Sequence, residues 1–382
     1  MLSAAPSSTH HAAGLRVQPR PGQALAGLQT RLFDWLQAHG VEPRAVQCHA
    51  DASGGVRLRL TPEMLAAWTP GFDTLALATT LQRDGDTPDA ALAREIVVAM
   101  LAAPQTMPFD SVDELEARVS VRGHIVRAAA RTALAFRTDD AAERPTEYWH
   151  YDEDHGFLLH EGQPLIDALR AATQPEATGR RYDFSCYRAT EYVILLGIAQ
   201  ELATRNPALL EAITQASRRR AIRSGAFHEV FLTEFGSMAQ PVPPRYYVPG
   251  ARVWFRNPHE GSADVEGYEG SWVIYLGGGR FSNFWKREQP YGFEQKCVEI
   301  HHWRHGVQTG ADGALRMNED IVERRTAATL AHPKRRAAVL ARMQRLRDPQ
   351  GVYAAGGCID ATREFPRPLC PGTSTIALPV LA

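Results

Sequence analysis

Cys186 is the side chain of this sequence that is best placed to act as a nucleophile. It stands where an irregular polar segment meets a nearly uninterrupted apolar stretch, which predicts a helix ending at about Asn206, before Pro207. A thiol at a helix N-terminus lies beside unpaired backbone N–H groups and the positive end of the helix dipole. Both favour the thiolate, the form that attacks a carbonyl carbon. Cysteine is also common in protein cores, so placement alone leaves a buried filler as the alternative.

A second group of reactive side chains comprises Cys297, His301, His302 and His305. On a helix, Cys297, His301 and His305 would share one face and would be spaced to bind zinc. A closed zinc site needs four ligands, and the sequence offers no evident fourth ligand nearby. We interpret these histidines as surface residues, and an imidazole supplied to Cys186 by His301 or His302 is the alternative.

Other patterns that suggest ion or phosphate binding are incomplete. Asp84-Gly85-Asp86 lacks the further oxygen ligands and the closing glutamate of an EF-hand calcium loop. Gly277-Gly278-Gly279 lies between two predicted strands, where consecutive glycines supply the positive φ of a tight hairpin, whereas a phosphate loop leads into a helix. We therefore predict no metal and no cofactor.

The composition indicates a globular protein with balanced charge. The 382 residues include 42 basic and 43 acidic side chains, for a formal net charge of −1, and 44% are hydrophobic. This balance gives no indication of nucleic acid or membrane binding, and no apolar run is long enough to span a bilayer. The odd number of widely spaced cysteines and the absence of a signal-peptide pattern favour free thiols in the cytoplasm, with export by a non-classical route as the alternative.

The chain divides into several regions by composition and hydrophobic pattern. Residues 1–24 are rich in small residues, proline and histidine, and we predict that they are disordered. A small α/β extension is predicted at 25–87, a core of helices and strands at 88–310, and a helical tail at 311–382. The tail contains a predicted helix at Ala327–Arg347.

The predicted core places strands after the helix that Cys186 begins. These strands are Arg252–Arg256, Ser271–Leu276 and Arg280–Trp285. A nucleophile-bearing helix packed on a following antiparallel sheet is the arrangement of papain-like (NlpC/P60-like) cysteine enzymes. The predicted fold class is therefore α+β with a papain-like core.

Several short motifs follow one another in an order that matches a known family. They are Phe109–Ala130, Tyr148-Trp149, Phe184 and Cys186 with the apolar helix behind them, Pro249-Gly250 leading to Phe255-x-Asn257-Pro258, and Gly270-x-x-Val273-Ile274-x-Leu276-Gly277 followed by an aromatic strand. In these motifs residues 109–306 resemble the small spore-associated bacterial protein-glutamine gamma-glutamyltransferases, which are compact transglutaminases. The resemblance covers roughly half of the chain.

This resemblance implies acyl transfer between proteins. The cysteine attacks a glutamine side-chain amide, ammonia leaves, and a lysine amine takes the acyl group to form an isopeptide bond. Water in place of the amine gives deamidation. Protein substrates that carry glutamine and lysine are therefore implied, and no metal is expected.

The sequence departs from the family at the residues around the nucleophile. In the family a glutamate directly precedes the cysteine and another follows the glycine of the hairpin's first strand, but these positions hold Ser185 and Ser271. The family's histidine in the returning strand falls here at about Asn283. Glu269 would share a strand face with Ser271, so we predict that it supplies the missing carboxylate, with a solvated acid as the alternative.

The predicted site thus has a catalytic and a substrate-contacting part. We predict that Cys186, Glu269 and Asn283 are catalytic and that Ser185, Ser271 and Trp254 contact the substrate. Because acid–base groups are needed to move protons in acyl transfer, the departures from the family leave two alternatives open. One is a deamidase or peptidase of the same fold, and the other is a catalytically silent structural or interaction module.

Overall fold

The computed structural model describes residues 11–52, 54–136, 143–348 and 356–379. The chain forms two compact units, Met1–Glu116 with Arg245–Val248, and Ala117–Pro244 with Pro249–Ala382. Both contain helices and strands, so the predicted α+β class is confirmed. The finer domain limits at 24, 87 and 310 stay predictions. In the described part of the chain, every helix is too short or too polar to cross a membrane.

The first unit is built around a four-stranded sheet in the order β2-β3-β1-β4. Its elements are β1 (Leu15–Val17), α1 (Leu25–Ala38), β2 (Val46–Ala50), β3 (Val56–Leu60), α2 (Pro62–Trp68), α3 (Leu77–Thr80), α4 (Pro88–Leu101) and β4 (Met107–Phe109). The alternation of Val56-Arg57-Leu58-Arg59-Leu60 places the three apolar side chains on the buried face of β3. The predicted disorder of residues 1–24 is wrong for β1, which pairs with β3; residues 1–10 lie outside the described residues.

The second unit holds the remaining elements, and α5 (Val112–Arg131) begins just before it in the chain. Up to the first strand of its main sheet these are β5 (Ala135–Phe136), β6 (Trp149–Asp152), β7 (Gly156–Leu159), α6 (Leu165–Thr173), α7 (Pro175–Thr178), β8 (Asp183–Phe184), α8 (Cys186–Arg205), α9 (Pro207–Arg219), α10 (Gly225–Phe231) and β9 (Leu232–Phe235). They continue as β10 (Arg252–Arg256), α11 (Glu260–Ala263), β11 (Gly270–Gly277), β12 (Arg280–Phe281), β13 (Tyr291–Gly292), α12 (Phe293–Gly306), β14 (Val307–Thr309), β15 (Leu315–Met317), α13 (Glu319–Leu330), α14 (Pro333–Met343) and β16 (Arg363–Pro366).

The main sheet of this unit has six strands in the order β13-β12-β11-β10-β16-β9. Every neighbouring pair is antiparallel. In the pair of β10 and β11, Phe255 lies opposite Ser271, and Trp254 lies opposite Trp272. Because side chains alternate along a strand, these two pairs point to opposite faces of the sheet. The register therefore separates Ser271 from Trp254.

Helix α8 is held between this sheet and α5. Its apolar side chains Val193 and Leu196 are fully buried and share one core with Ile274 of β11 and Ile125 of α5. Gly197 permits a close approach, because a Cβ atom there would lie 3.0 Å from the backbone nitrogen and 3.1 Å from the Cα atom of Ile125. This packing fixes the first residue of α8 near β11.

The residues after 310 contain more than the predicted helix. The helix predicted at Ala327–Arg347 is instead the helices α13 and α14, because Pro333 has no N–H to continue the first helix and is the first residue of the second. The stretch that follows contributes β16, which lies between β10 and the edge strand β9 of the main sheet. The tail is therefore helical only in part.

Candidate active site

Cys186 is the first residue of α8, as the sequence predicts. Asp183 and Phe184 in β8 pair with Ala135 and Phe136 in β5, which anchors the extended chain before the helix. Ser185 then caps the helix, and its Oγ atom accepts a hydrogen bond from the backbone N–H of Arg188 at 3.2 Å. The thiol therefore lies at the positive end of a helix of 20 residues.

The sulfur of Cys186 accepts hydrogen bonds from two backbone N–H groups. Burial raises the pKa of the Cys186 thiol above its ordinary value, while hydrogen bonds from the N–H groups of Trp272 and Tyr187, together with the charge of Lys296, act to lower it. The negative charge of Glu269 acts in the same direction as burial. The net effect is a raised pKa, so the resting group is a thiol surrounded by groups that favour its anion.

The N–H group of Trp272 is available because β12 is short. Ile274 donates its N–H to the Oγ atom of Ser282 at the β12 edge of β11. N–H groups two residues apart on a strand point to the same edge, so Trp272 faces this edge as well. The pairing of β12 with β11 reaches only Tyr275 and Gly277. At Trp272 this edge of β11 is therefore not paired with β12, and the N–H of Trp272 donates to the sulfur of Cys186 there.

Cys186 lines a cavity of about 490 Å³. Ser271 of β11, Asn283 and the α12 residues Lys296 and Glu299 also line it. Helix α13 closes another side with Glu319 and Glu323, among other residues. The Glu319 carboxylate accepts a hydrogen bond from the hydroxyl of Tyr268 at 2.8 Å. The cavity thus combines a thiol with both positive and negative side chains.

Lys296 carries the most buried of these charges. Its side chain is only 3% exposed, and its Nζ atom lies 2.9 Å from Oε1 of Glu299 and 3.8 Å from the ring centre of Tyr291. Burial disfavours the ammonium, but Glu299 and Tyr291 outweigh it and raise the pKa of Lys296 above its ordinary value. Burial also raises the pKa of Tyr291 to about 12. Lys296 is therefore charged and Tyr291 neutral at physiological pH.

Comparisons with known proteins identify the family. The model of the protein-glutamine gamma-glutamyltransferase family (TGL) matches residues 75–365, well over half of the chain. The chain belongs to this transglutaminase family. A transglutaminase from Geobacillus stearothermophilus, solved without its C-terminal extension, is similar at 17% identity and a TM-score of 0.36 over 55% of this chain and 96% of that chain. No curated protein matches the sequence.

Family membership makes this chain a transferase with protein substrates, and it confirms the resemblance seen in the sequence. The residues predicted around the nucleophile can be placed relative to the cavity. Ser271 is 9% exposed and lines the cavity with Cys186. Asn283 also lines it, but its amide nitrogen donates to the carbonyl of Gln289 at 3.0 Å and its Oδ1 accepts the N–H of Lys286 at 3.1 Å. The amide of Asn283 thus shapes its own turn.

Glu269 lies at the entrance to β11 rather than within it. It is exposed, and its carbonyl accepts the N–H of Asn257 at 3.0 Å. Its carboxylate influences the thiol of Cys186 electrostatically, although Glu269 is not among the described residues that line the cavity. The catalytic role of Glu269 stays a prediction.

Ser185 and Trp254 line other cavities of this transglutaminase-family chain. Ser185 borders a space of about 100 Å³ with Arg144 and Glu191. Trp254 stacks on Trp272 with ring centres 5.0 Å apart and borders a different space of about 240 Å³. The structure therefore does not bring these two side chains into the cavity of Cys186, and their contact with substrate stays a prediction.

The histidines of α12 are not among the described residues that line the cavity of Cys186. The Nε2 atom of His302 forms a hydrogen bond with Oγ1 of Thr329 at 2.7 Å, and its Nδ1 atom lies 3.1 Å from Nδ1 of His305. Burial lowers the pKa of His301 to about 4. The predicted face of Cys297, His301 and His305 does not converge on one point. Within the described residues the side chains that do converge as three possible metal ligands are His228, Glu234 and Glu364, and Glu364 is paired with Arg252.

Sequence reasoning missed Lys296, Glu299 and Tyr291. The signal for Lys296 is its place on the apolar face of α12, between the buried residues Phe293 and Ile300. A lysine at such a position needs a partner, and Glu299 follows at the i+3 spacing that brings two side chains together on a helix. The approach of this pair to Cys186 depends on contacts between distant segments, which periodicity does not reveal.

Proposed function

We propose that this member of the family is a protein-glutamine gamma-glutamyltransferase whose nucleophile is Cys186, on a papain-like core. The observation that supports this most directly is the environment of the thiol. The thiol stands at the N-terminus of α8 and accepts hydrogen bonds from two backbone N–H groups. It lines a cavity of about 490 Å³, and Cys186 lies inside the region that the family model matches. A filler cysteine needs none of these features.

The chemistry proceeds in two balanced steps. The Cys186 sulfur bonds to the side-chain amide carbon of a glutamine, the carbon–nitrogen bond breaks, and ammonia leaves with the proton that the thiol has lost. A lysine amine of a second protein then attacks the thioester carbon, and the carbon–sulfur bond breaks. The amine proton returns to the sulfur, so the products are an isopeptide bond, ammonia and a regenerated thiol.

The groups around the sulfur suit this reaction. The N–H groups of Trp272 and Tyr187 stabilise negative charge on the sulfur without themselves titrating. Glu269 is our candidate for the group that moves protons, and Asn283 is our candidate for orienting the substrate. Ser271 lines the cavity where a carboxylate stands in the family, so it leaves room beside the sulfur.

The test is incorporation of a fluorescent primary amine into a glutamine-bearing protein such as casein, with ammonia release measured in parallel. Cys186→Ala should abolish both, whereas Cys48→Ala, a matched change at a thiol in β2, should leave both unchanged. Retained incorporation by Cys186→Ala would refute the assignment. Ammonia release without amine incorporation would indicate a deamidase.

We also propose a location and partners from the same features. The substrates are proteins that present glutamine and lysine side chains, and the balanced charge of the chain gives no reason to add nucleic acid or membrane. The odd number of cysteines, all of them thiols in the structure, suits the reducing cytoplasm. Fractionation of the native host with an antibody against the protein would test this location.

A further inference from the structure

The buried lysine of the active-site cavity has no role in the reaction described above. Lysine is almost never fully buried unless it is paired, because removing an ammonium from water is costly. Lys296 is 3% exposed at the side chain, and the energy for this must come from its surroundings. Its position therefore calls for a specific explanation.

Glu299 and Tyr291 stabilise the ammonium of Lys296, but they cancel its positive field only in part. An ammonium has three N–H donors. One is directed at the Glu299 carboxylate 2.9 Å away, and the face of the Tyr291 ring lies 3.8 Å from the nitrogen. Glu299 is itself 20% exposed at the side chain, so solvent reduces the effect of its negative charge. The positive field of Lys296 is thus only partly cancelled inside the cavity.

Cys186 is one of the groups in the cavity that this field reaches. Lys296 and Cys186 line the same space, and each favours the charged form of the other. Ser185, which directly precedes Cys186, and Ser271, which lines the cavity with it, are both neutral. Neutral residues at both positions leave no carboxylate there to compete with the thiolate for the ammonium.

We infer that Lys296 is the counter-charge of the Cys186 thiolate in this chain, held by Glu299 and the ring of Tyr291. The inference rests on the proposed role of Cys186 as the nucleophile. The thiol loses its proton when the pair forms, and the departing nitrogen takes this proton, with Glu269 as the candidate that carries it between them. Lys296 keeps its own proton throughout and acts only through its charge.

The experiment measures how alkylation of Cys186 by iodoacetamide depends on pH, with the modified peptide quantified by mass spectrometry. In this reaction the sulfur bonds to the methylene carbon and iodide leaves, so the rate follows the thiolate fraction. The variant is Lys296→Met, which keeps the length of the side chain and removes the charge. Lys334→Met is the matched control, because Lys334 is exposed on α14.

A nearby opposite charge that favours the charged form of a group typically lowers the pKa of an acid such as a thiol by roughly 1–3 units. Lys296→Met should therefore move the alkylation profile to higher pH and slow alkylation about tenfold or more at a fixed pH below the midpoint. Lys296→Arg keeps the charge and should retain the wild-type midpoint, as should Lys334→Met. Coinciding profiles for wild type and Lys296→Met would overturn the inference.

A second variant protects the test against misfolding. Lys296→Met leaves Glu299 without its ammonium, so Lys296→Met/Glu299→Gln removes both charges together and should show the same upward shift. The outcomes also separate this inference from the proposed function. If the wild type does not incorporate amine but the alkylation profile of Lys296→Met is shifted, only the transferase function is refuted. If the wild type incorporates amine but the two alkylation profiles coincide, only the role of Lys296 is refuted.

Discussion

Gly197→Ala tests whether the position of α8, the helix that Cys186 begins, depends on its close approach to α5. A Cβ atom at residue 197 would overlap Cγ1 of Ile125 and lie 3.0 Å and 3.1 Å from its backbone nitrogen and Cα. Backbone atoms cannot move aside as the end of a flexible side chain can, so the helices must separate. Overpacking of this kind typically costs about 1–3 kcal/mol.

The matched control is Gly123→Ala within α5. A Cβ atom there would meet only the guanidinium end of Arg127, at 3.3 Å or more, and this side chain can move. Replacing an interior helical glycine by alanine gains about 1 kcal/mol of helix propensity at either site. This gain cancels in the comparison, so Gly197→Ala should be less stable than Gly123→Ala by about 1–3 kcal/mol.

Urea unfolding monitored by circular dichroism at the helical band measures this difference. Gly123→Ala should match or exceed the wild-type midpoint, and Gly197→Ala should fall below that of Gly123→Ala with an unchanged slope. Equal midpoints for the two variants would show that α8 does not need the close contact, and the account of how Cys186 is positioned would be wrong.

Two further predictions concern acid–base groups. Glu269→Gln should slow amine incorporation by about 10²–10⁴-fold. It should change the unfolding free energy by no more than about 0.5 kcal/mol. The matched control is Glu260→Gln, at another exposed glutamate, and equal rates for the two variants would show that Glu269 is only a solvated acid. Burial lowers the pKa of His301 to about 4, below the value of about 6.5 expected in the unfolded chain, so its contribution to stability is complete above pH 6.5 and is lost as the pH falls towards 4. His301→Gln should flatten the fall of the unfolding free energy over this interval, and an unchanged slope would contradict the assigned burial.

Local patterns in the sequence predict the helix that begins at Cys186. The predicted helix at Cys186 begins and ends where the sequence places it, because Ser185 caps it and Pro207 starts the next helix. A local cap also marks the start of α5, where the Oγ atom of Ser111 accepts the N–H of Glu114 at 3.2 Å. These signals depend on neighbours within one turn, so a single sequence contains them.

Other features of the site depend on register and on distant contacts. The sequence predicts that Trp254 and Ser271 both contact the substrate, but the observed pairing sets Trp254 opposite Trp272, and alternation turns the side chains of Trp254 and Ser271 to opposite faces of the sheet. Glu269 precedes the first residue of β11, so the strand argument that joined it to Ser271 does not extend to it. Lys296 joins the cavity through the packing of α12, which no local pattern specifies.

The place of β16 in the main sheet has a consequence for how the protein is made. This strand, Arg363–Pro366, lies between β10 and β9 and brings Glu364 to the buried Arg252. On the ribosome, β10 emerges about a hundred residues before the strand that flanks it, so one edge of β10 remains unpaired while those residues are made. A nascent chain stopped before residue 363 would leave the guanidinium of Arg252 without its carboxylate, and we expect it to be retained by chaperones until translation resumes.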